Sequence, residues 1–483
     1  MAVDYDLVVI GASPEGIYAA ITATQLQARV ALVTHNDTGY LDNGSIVSHS
    51  FNEIGRLNFQ RQNNIFGVKR DSFNSLFSLT EARNWGNAIN DNLIAENSLT
   101  TAATLGVDVI VGKGEFCRLP KLAFNINQRK LRSRYFLLAT GSVSNIKNID
   151  GAVAANCLTY NGFLQLPDLS TLPHRLAIVG SSPRSLELAQ SLTRFGKNVT
   201  LIVSDPRILS SEDIDTSLLI QAHLESEGIE IIANAKVTQI KEFYDSKWLQ
   251  AGDQAIETDA IIFADARQPN VEGLNLAGVD VKYNSRGVLV NRKLQTTNPK
   301  IYACGDILGG YSLFSLSQYE ANFALKNTLF LPLFKIDYRC LPWGMFTQPN
   351  VMRVGLTEAK AKQYYGDNFY VIKEHFKSVT QAQVNGITTG WCKLLVTEQG
   401  EILGCTIIGD RAAELISAIA LMMKHKIKLS PNLMKGMTTV EIPYISPSFA
   451  EIWQKVTNNY YRQKLQHNPK LLNWLETWFN WRR

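Results

Sequence analysis

Asp306 closes the stretch Thr296 to Asp306, in which a short apolar run, Ile301-Tyr302-Ala303, leads through Cys304 to Gly305. The run reads as a buried strand of a parallel sheet. A carboxylate just past the carboxyl end of such a strand stands where open α/β sheets hold their ligands, and it can accept a hydrogen bond from a sugar-like hydroxyl. Gly305, lacking a Cβ, lets backbone approach that ligand. A second group with chemical competence is Gly11-Ala12-Ser13-Pro14-Glu15-Gly16, which follows the apolar residues 7–10 and opens a helical pattern from Ile17. Free N–H groups and the positive dipole end of a helix suit a pyrophosphate there. Ser13 replaces the middle glycine of this fingerprint, and Thr34 ends the next strand where an acid usually holds a ribose. The pattern recurs from Leu176 to Glu187, with Gly180 retained and Ser182 and Ser185 in the other two glycine positions. The strand after it runs into Ser204 with neither the acid nor the arginine pair by which such sites choose between dinucleotides; Arg207 is the nearby cation.

These residues need elements to hold them, and the chain is long enough to supply several. Its 483 residues, 45% hydrophobic and 19% charged, predict a compact α/β protein of two to four domains. No apolar run is long enough to span a bilayer, and the first residues enter a strand without a basic leader, so a cytoplasmic location is expected. The six cysteines, at 117, 157, 304, 340, 392 and 405, form no C-x-x-C or C-x4-C pair, a pattern that predicts a reducing compartment and buried single thiols. A formal charge of +5 favours an acidic protein partner or an anionic membrane surface. No metal-ligand cluster is apparent, and without basic clusters interleaved with aromatics no nucleic-acid partner is expected. Near the end, Asn468-Pro469 predicts a helix start. Leu471, Trp474, Leu475, Trp478 and Phe479 follow at helical spacing, before Trp481-Arg482-Arg483. Residues 468–483 thus suit either peripheral membrane contact or packing on a dimer mate or partner protein.

Further motifs accompany these: Ala139-Thr140-Gly141 after the apolar residues 135–138, Ala266-Arg267-Gln268-Pro269-Asn270, and the pair Met345–Asn350 and Val354–Ala359. Together with Thr296 to Asp306, they make the chain resemble the flavoprotein disulfide reductases, the family of glutathione reductase, dihydrolipoamide dehydrogenase and mercuric reductase, over roughly residues 4 to 460. The resemblance implies two Rossmann-like dinucleotide-binding domains, for FAD and NAD(P), and a C-terminal α+β dimerisation domain. Its boundaries are 1–150 and 273–337 for the two FAD-binding segments, 151–272 for the NAD(P)-type domain, 338–460 for dimerisation and 461–483 for an amphipathic extension. It assigns FAD to Gly11, Ser13, Gly16, Thr34, Thr140, Gly141, Gly305 and Asp306, and leaves NAD(P) at the second, serine-substituted site undecided.

The same resemblance locates the chemistry. Aligned on Gly44, the segment Tyr40 to Ser50 matches the redox helix of the family, with Tyr40 and Ser45 at the two cysteine positions and His49 at that of the lysine. A phenol and a hydroxyl cannot form a disulfide or a thiolate–flavin pair. Glu187 matches the glutamate that pairs with that lysine, so His49 and Glu187 are the candidate proton-handling groups beside the flavin. Ser446 stands where the family has its catalytic histidine, and Glu451 five residues on is retained. The function expected is an FAD-dependent oxidoreductase, a homodimer that passes electrons to or from a small-molecule or protein carrier without a disulfide. A flavin-containing scaffold or sensor, docked through its C-terminal helix, is the alternative.

Overall fold

The computed structural model describes residues 3–35, 44–63, 77–94, 98–118, 121–146, 149–244, 246–310, 313–429, 444–467 and 469–483. They fall into two compact units, each assembled from separate stretches of chain.

The first unit comprises Met1–Phe51, Phe77–Val179 and Val237–Asp337. Its centre is a five-stranded parallel sheet in the order Ile301–Ala303, Ser133–Leu138, Tyr5–Ile10, Val30–Thr34, Asp108–Val111. The apolar run of Tyr5–Ile10 puts it in the middle, paired on one side with Val30–Thr34 (Leu7 opposite Val30) and on the other with Ser133–Leu138 (Leu7 opposite Tyr135). Successive side chains point to opposite faces of a strand. Leu7 and Val9 therefore pack with Ile17, Ala20, Ala321 and Leu325 from the helices Pro14–Gln25 and Phe314–Leu329. Val8 and Ile10 join Phe116, Phe124 and Phe136, beneath a small antiparallel sheet of Gly114–Cys117, Ala123–Ile126 and Arg129–Leu131. As expected, Ile301–Ala303 is a short, wholly buried strand, parallel to Ser133–Leu138. The unit also contains the parallel strands Arg175–Val179, Ala260–Phe263 and Leu158–Thr159, and an antiparallel meander over residues 237–258. The meander was not anticipated, because its alternation of Ile240, Leu249 and Ile256 with charged residues is short and interrupted.

The second unit comprises Asn52–Leu76, Gly180–Lys236 and Tyr338–Arg483. It holds the helix Pro183–Arg194, the parallel strands Asn198–Ile202 and Glu230–Ile232, and the helix Ile214–Ser226. Its main sheet is antiparallel, in the order Trp343–Met345, Val351–Gly355, Ile402–Ile408, Trp391–Thr397, Phe369–His375. The helices Ala412–Lys424 and Glu451–Gln466 contribute Ile416, Ile419, Ile452, Trp453 and Tyr460 to the core on this sheet. On Trp391–Thr397 the ammonium of Lys393, only 3% exposed, lies 3.0 Å from Asp213, 2.8 Å from Asp215 and 3.1 Å from Glu358. Burial alone would lower this lysine, but its bonds to Asp215 and Asp213 outweigh burial and hold it above its ordinary range. The C-terminal helix Pro469–Arg482 forms as expected, while its proposed cap, Asn468, lies outside the described residues. Trp474 and Trp478 stack along it at 5.8 Å, and Trp478 and Trp481 lie 5.5 Å apart.

One expectation about the cysteines needs correction. Cys392 and Cys405 are not isolated, since their sulfurs stand 3.8 Å apart in the core of the second unit. The pairing of Leu394 with Cys405 and of Cys392 with Ile407 makes the two cysteines diagonal neighbours on one face. Burial pushes the Cys405 thiol far up, with its bond to Cys392 adding to the effect. No helix among the described residues is long and apolar enough to cross a membrane.

Candidate functional site

The cleft of the first unit opens where strands end. A space of about 510 Å3, continuous with solvent, is lined by Gly11, Ser13, Thr34, His35, Gly112, Thr140 and Asn270 among others. Gly11 sits at φ +107°, and a Cβ there would overlap the backbone of Ala139 and Thr140; one on Gly16 would overlap the Gly11 carbonyl. The two glycines thus let strand end, helix start and the Ala139–Thr140 backbone meet at van der Waals range. Ser13 keeps its hydroxyl for the helix: it is the N-cap, accepting the Gly16 N–H at 3.3 Å, with Pro14 in the first turn. Thr34 is buried at the end of its strand, 4% exposed, and faces the cleft. The Thr140 hydroxyl donates to the Asn270 carbonyl at 2.6 Å, and the Asn270 N–H to the Gly141 carbonyl at 3.1 Å. These bonds pin the loop carrying Gly141 to residues 267–270.

Asp306 follows Gly305 in a short 3-10 turn off the strand Ile301–Ala303. The turn is held from two sides. Glu320, buried on the helix Phe314–Leu329, accepts the Gly305 N–H at 2.8 Å, and a Cβ on Gly305, at φ +77°, would overlap the carboxylate of buried Glu15. The Asp306 carboxylate itself pairs with Arg267, whose Nε also donates to the Ser142 hydroxyl at 2.9 Å. Arg267, Ser142, Glu15 and Glu320 were not given a role by the sequence, although Arg267 and Glu15 lie within recognised motifs. Their shared signal, polar or charged side chains that converge beside otherwise apolar strand ends, emerges only once the chain is folded.

The residues fit a dinucleotide. A helix N-terminus with close backbone, a cleft lined by small and hydroxylic residues, and a carboxylate steadied by an arginine together match the demands of a pyrophosphate and a hydroxylated chain.

His49 and Glu187 belong to different units. Val47 and Phe51 bury one side of the helix Gly44–Asn63, and His49 falls on an exposed part of it. Enough protein surrounds the ring that desolvation still holds its imidazole below the usual range. Tyr40 lies outside the described residues. Glu187, 8% exposed, accepts the Phe346 N–H at 2.7 Å. Burial raises its carboxyl from 4.5 to about 7, opposed by that bond, by Arg184 and by the Asn52 amide, which lies close without a well-formed hydrogen bond of its own. Because the native state holds this proton more tightly than the unfolded chain, stability from Glu187 is full below about pH 4.5 and is lost as pH rises through 7. Glu187→Gln, which keeps an acceptor for Phe346, is expected to flatten the stability profile over that window. Denaturant midpoints measured from pH 4.5 to 8 check this, and a profile parallel to that of the unaltered protein would refute it.

The second fingerprint repeats the first in the second unit. Ser182 caps the helix Pro183–Arg194, its hydroxyl accepting the Ser185 N–H at 3.4 Å, and Pro183 follows as Pro14 follows Ser13. The serine side chain is therefore turned onto its own helix rather than left as idle bulk in the turn. Asp205, three residues beyond the strand Asn198–Ile202, accepts the Ser181 hydroxyl at 3.0 Å. It is an acid the sequence did not bring to this turn, because it lies past the strand's end. Further along, Ser446 is exposed, and Glu451 accepts the Thr380 N–H at 2.9 Å and pairs with Lys455 at 3.0 Å.

Residues 5–321 match the model of the pyridine nucleotide-disulphide oxidoreductases, and residues 341–456 that of their dimerisation domain. Mercuric reductase from Staphylococcus aureus is 30% identical over 456 residues, 92% of this chain and 80% of that protein. Dihydrolipoyl dehydrogenase from Chlamydia pneumoniae is 27% identical over 474 residues, 94% of this chain and 96% of that protein. Among solved structures, the HOCl-induced flavoprotein disulfide reductase RclA from Escherichia coli superposes with a TM-score of 0.78 at 22% identity, covering 94% of this chain and 99% of that one. LpdA from Mycobacterium tuberculosis does so with 0.80 at 21%, covering 94% and 99%. These two likenesses bear on the fold.

Proposed function

The chain belongs to the pyridine nucleotide-disulphide oxidoreductase family, and from that premise we propose an FAD-dependent homodimeric oxidoreductase in which no redox disulfide takes part. One observation carries the reading: residues 40–49, where the family resemblance puts the cysteine pair, contain none, and the first cysteine of the chain is Cys117. Flavin, when bound, accepts a hydride or single electrons and passes them on. The chain's part is to hold that group, with the helix start at Gly11–Gly16 toward its pyrophosphate, Asp306 toward a hydroxyl, and Thr34, Thr140 and Gly141 along the cleft. His49, kept neutral by desolvation, is assigned the relay of a proton, and Glu187, poised near neutrality, a second titrating role. With Ser446 exposed and Glu451 engaged by Thr380 and Lys455, the segment that would complete dithiol chemistry has no imidazole to offer.

The acceptor or donor is a quinone-like small molecule or an acidic electron carrier of the ferredoxin type, consistent with the net charge of +5. Whether NAD(P)H serves as donor turns on the second fingerprint, whose helix start carries Arg184 where the first carries Glu15. Anaerobic mixing with NADH, NADPH and a reduced ferredoxin, followed at the flavin absorption band, tests the donors. Turnover with quinones and none with lipoamide or glutathione disulfide is expected. Disulfide reduction with a thiolate–flavin charge-transfer band would sink the proposal.

A second reading is favoured by the exposed row of Trp474, Trp478 and Trp481: a flavin-containing scaffold or sensor docked to a membrane or a complex through residues 468–483. Removal of those residues should release the protein from membrane fractions without changing flavin content, and unchanged fractionation would count against it.

A further inference from the structure

After the helix Phe314–Leu329 the chain turns through Phe330-Leu331-Pro332-Leu333-Phe334, where four large apolar side chains are 56%, 62%, 67% and 44% exposed in turn, Pro332 aside. Slack backbone does not explain this. Asn327, fully buried, donates from Nδ2 to the carbonyls of Lys293 at 2.9 Å and Phe334 at 2.8 Å, and its Oδ1 accepts the Phe334 N–H at 2.9 Å. The Ile336 N–H donates to the Arg292 carbonyl at 2.7 Å. A buried amide is tolerable only with its partners in place, so the loop is held in one shape, apolar tips outward. Lys326, Lys335 and Arg292 around it are exposed and Lys293 is half-exposed; of the acids on the same stretch of chain Glu320 is buried and Asp337 half-buried, so the cations prevail. The Lys326 ammonium lies 5.9 Å from the ring of Phe334, so cation and apolar tip are presented side by side.

We propose that this loop inserts into an anionic membrane surface, its phenylalanines and leucines entering the acyl boundary while the surrounding lysines and arginine meet lipid phosphates. Apolar tips supply burial and the cations supply attraction, the two contributions that bind interfacial anchors. A second copy of the chain is a poorer occupant. A two-fold interface centred on this loop would set the same four cations against themselves, and lysine is depleted in such interfaces. The proposal rests on the first unit alone and does not depend on the C-terminal helix.

The test uses the full-length, flavin-loaded protein in sedimentation with vesicles of phosphatidylcholine, with and without phosphatidylglycerol. Binding to the anionic vesicles is expected, weakening with salt, and the double substitution Leu331→Asp, Leu333→Asp is expected to weaken it at least about tenfold. Both positions are exposed, so flavin content and sedimentation coefficient should not change. Equal binding of variant and unaltered protein overturns the proposal, as does equal binding to neutral vesicles. A change of oligomeric state in the variant also overturns it and gives the loop to a second copy. Removal of residues 468–483 separates the two membrane readings: if it alone abolishes binding, the loop is not the anchor and the helix is.

Discussion

Asp306→Ala is expected to yield a folded protein that loses its yellow colour on gel filtration. On the reading proposed above, this carboxylate accepts a hydroxyl of the flavin's sugar-like chain, and it pairs with Arg267. A hydrogen bond to a charged group contributes about 1.5–3 kcal/mol, which corresponds to roughly ten- to hundredfold weaker FAD binding. The turn itself should survive, because Glu320 still holds the Gly305 N–H. The ratio of flavin to protein absorbance after exhaustive dialysis, beside an unchanged far-ultraviolet dichroism spectrum, checks both halves. Asp306→Asn should fall between the two, since its oxygen still accepts. An alanine variant that keeps full flavin through dialysis would remove Asp306 from the site.

The largest stability effect is expected at Lys393. Its ammonium is shared by Asp213, Asp215 and Glu358 in a pocket where the lysine is 3% and Asp213 8% exposed. Removing one partner of a buried ionic cluster leaves uncompensated charge and costs about 3–5 kcal/mol; Lys393→Ala adds a void. Lys373 bonds only Asp215 within the cluster, at 2.8 Å, so it cannot replace the lost cation for Asp213. A fall in thermal midpoint of roughly 10 °C follows for a domain of this size. Acid should narrow the gap between variant and parent. Burial would raise the Asp215 carboxyl, but its bonds to Lys373 and Lys393 outweigh that and hold it below 3.8, so the stability it supplies is present above that pH and lost below it. Calorimetry at pH 7 and pH 3 measures both. A variant as stable as its parent at pH 7 would mean that the cluster contributes nothing net.

Much of the first unit was legible in the sequence because its signals are local. Four apolar residues followed by glycine and then a helix can form few things besides a strand entering a phosphate-type turn, and Ser13-Pro14 announces its own cap. Ile301-Tyr302-Ala303 declared itself by being wholly apolar between a turn and a glycine. What stayed hidden depends on register and on distant pairing. Cys392 and Cys405 are thirteen residues apart and become neighbours only because Leu394 faces Cys405 across two strands. Arg267 and Asp306 are separated by thirty-nine residues, and Lys393 lies far from Asp213 in the chain. Glu187 could be read as a titrating group but not as the acceptor of a backbone N–H from residue 346. The residues nearest the expected chemistry were recognised through family likeness, which assigns positions and says little about what the side chains standing there do.

The two Ser-Pro helix starts bear on how the holoprotein matures. In each, a hydroxyl satisfies an N–H that would otherwise look to a phosphate: Ser13 for Gly16 and Ser182 for Ser185. Neither turn has to wait for a ligand to become structured. Flavin loading can then be a late event, the arrival of a guest in a finished room rather than the template on which the room is built.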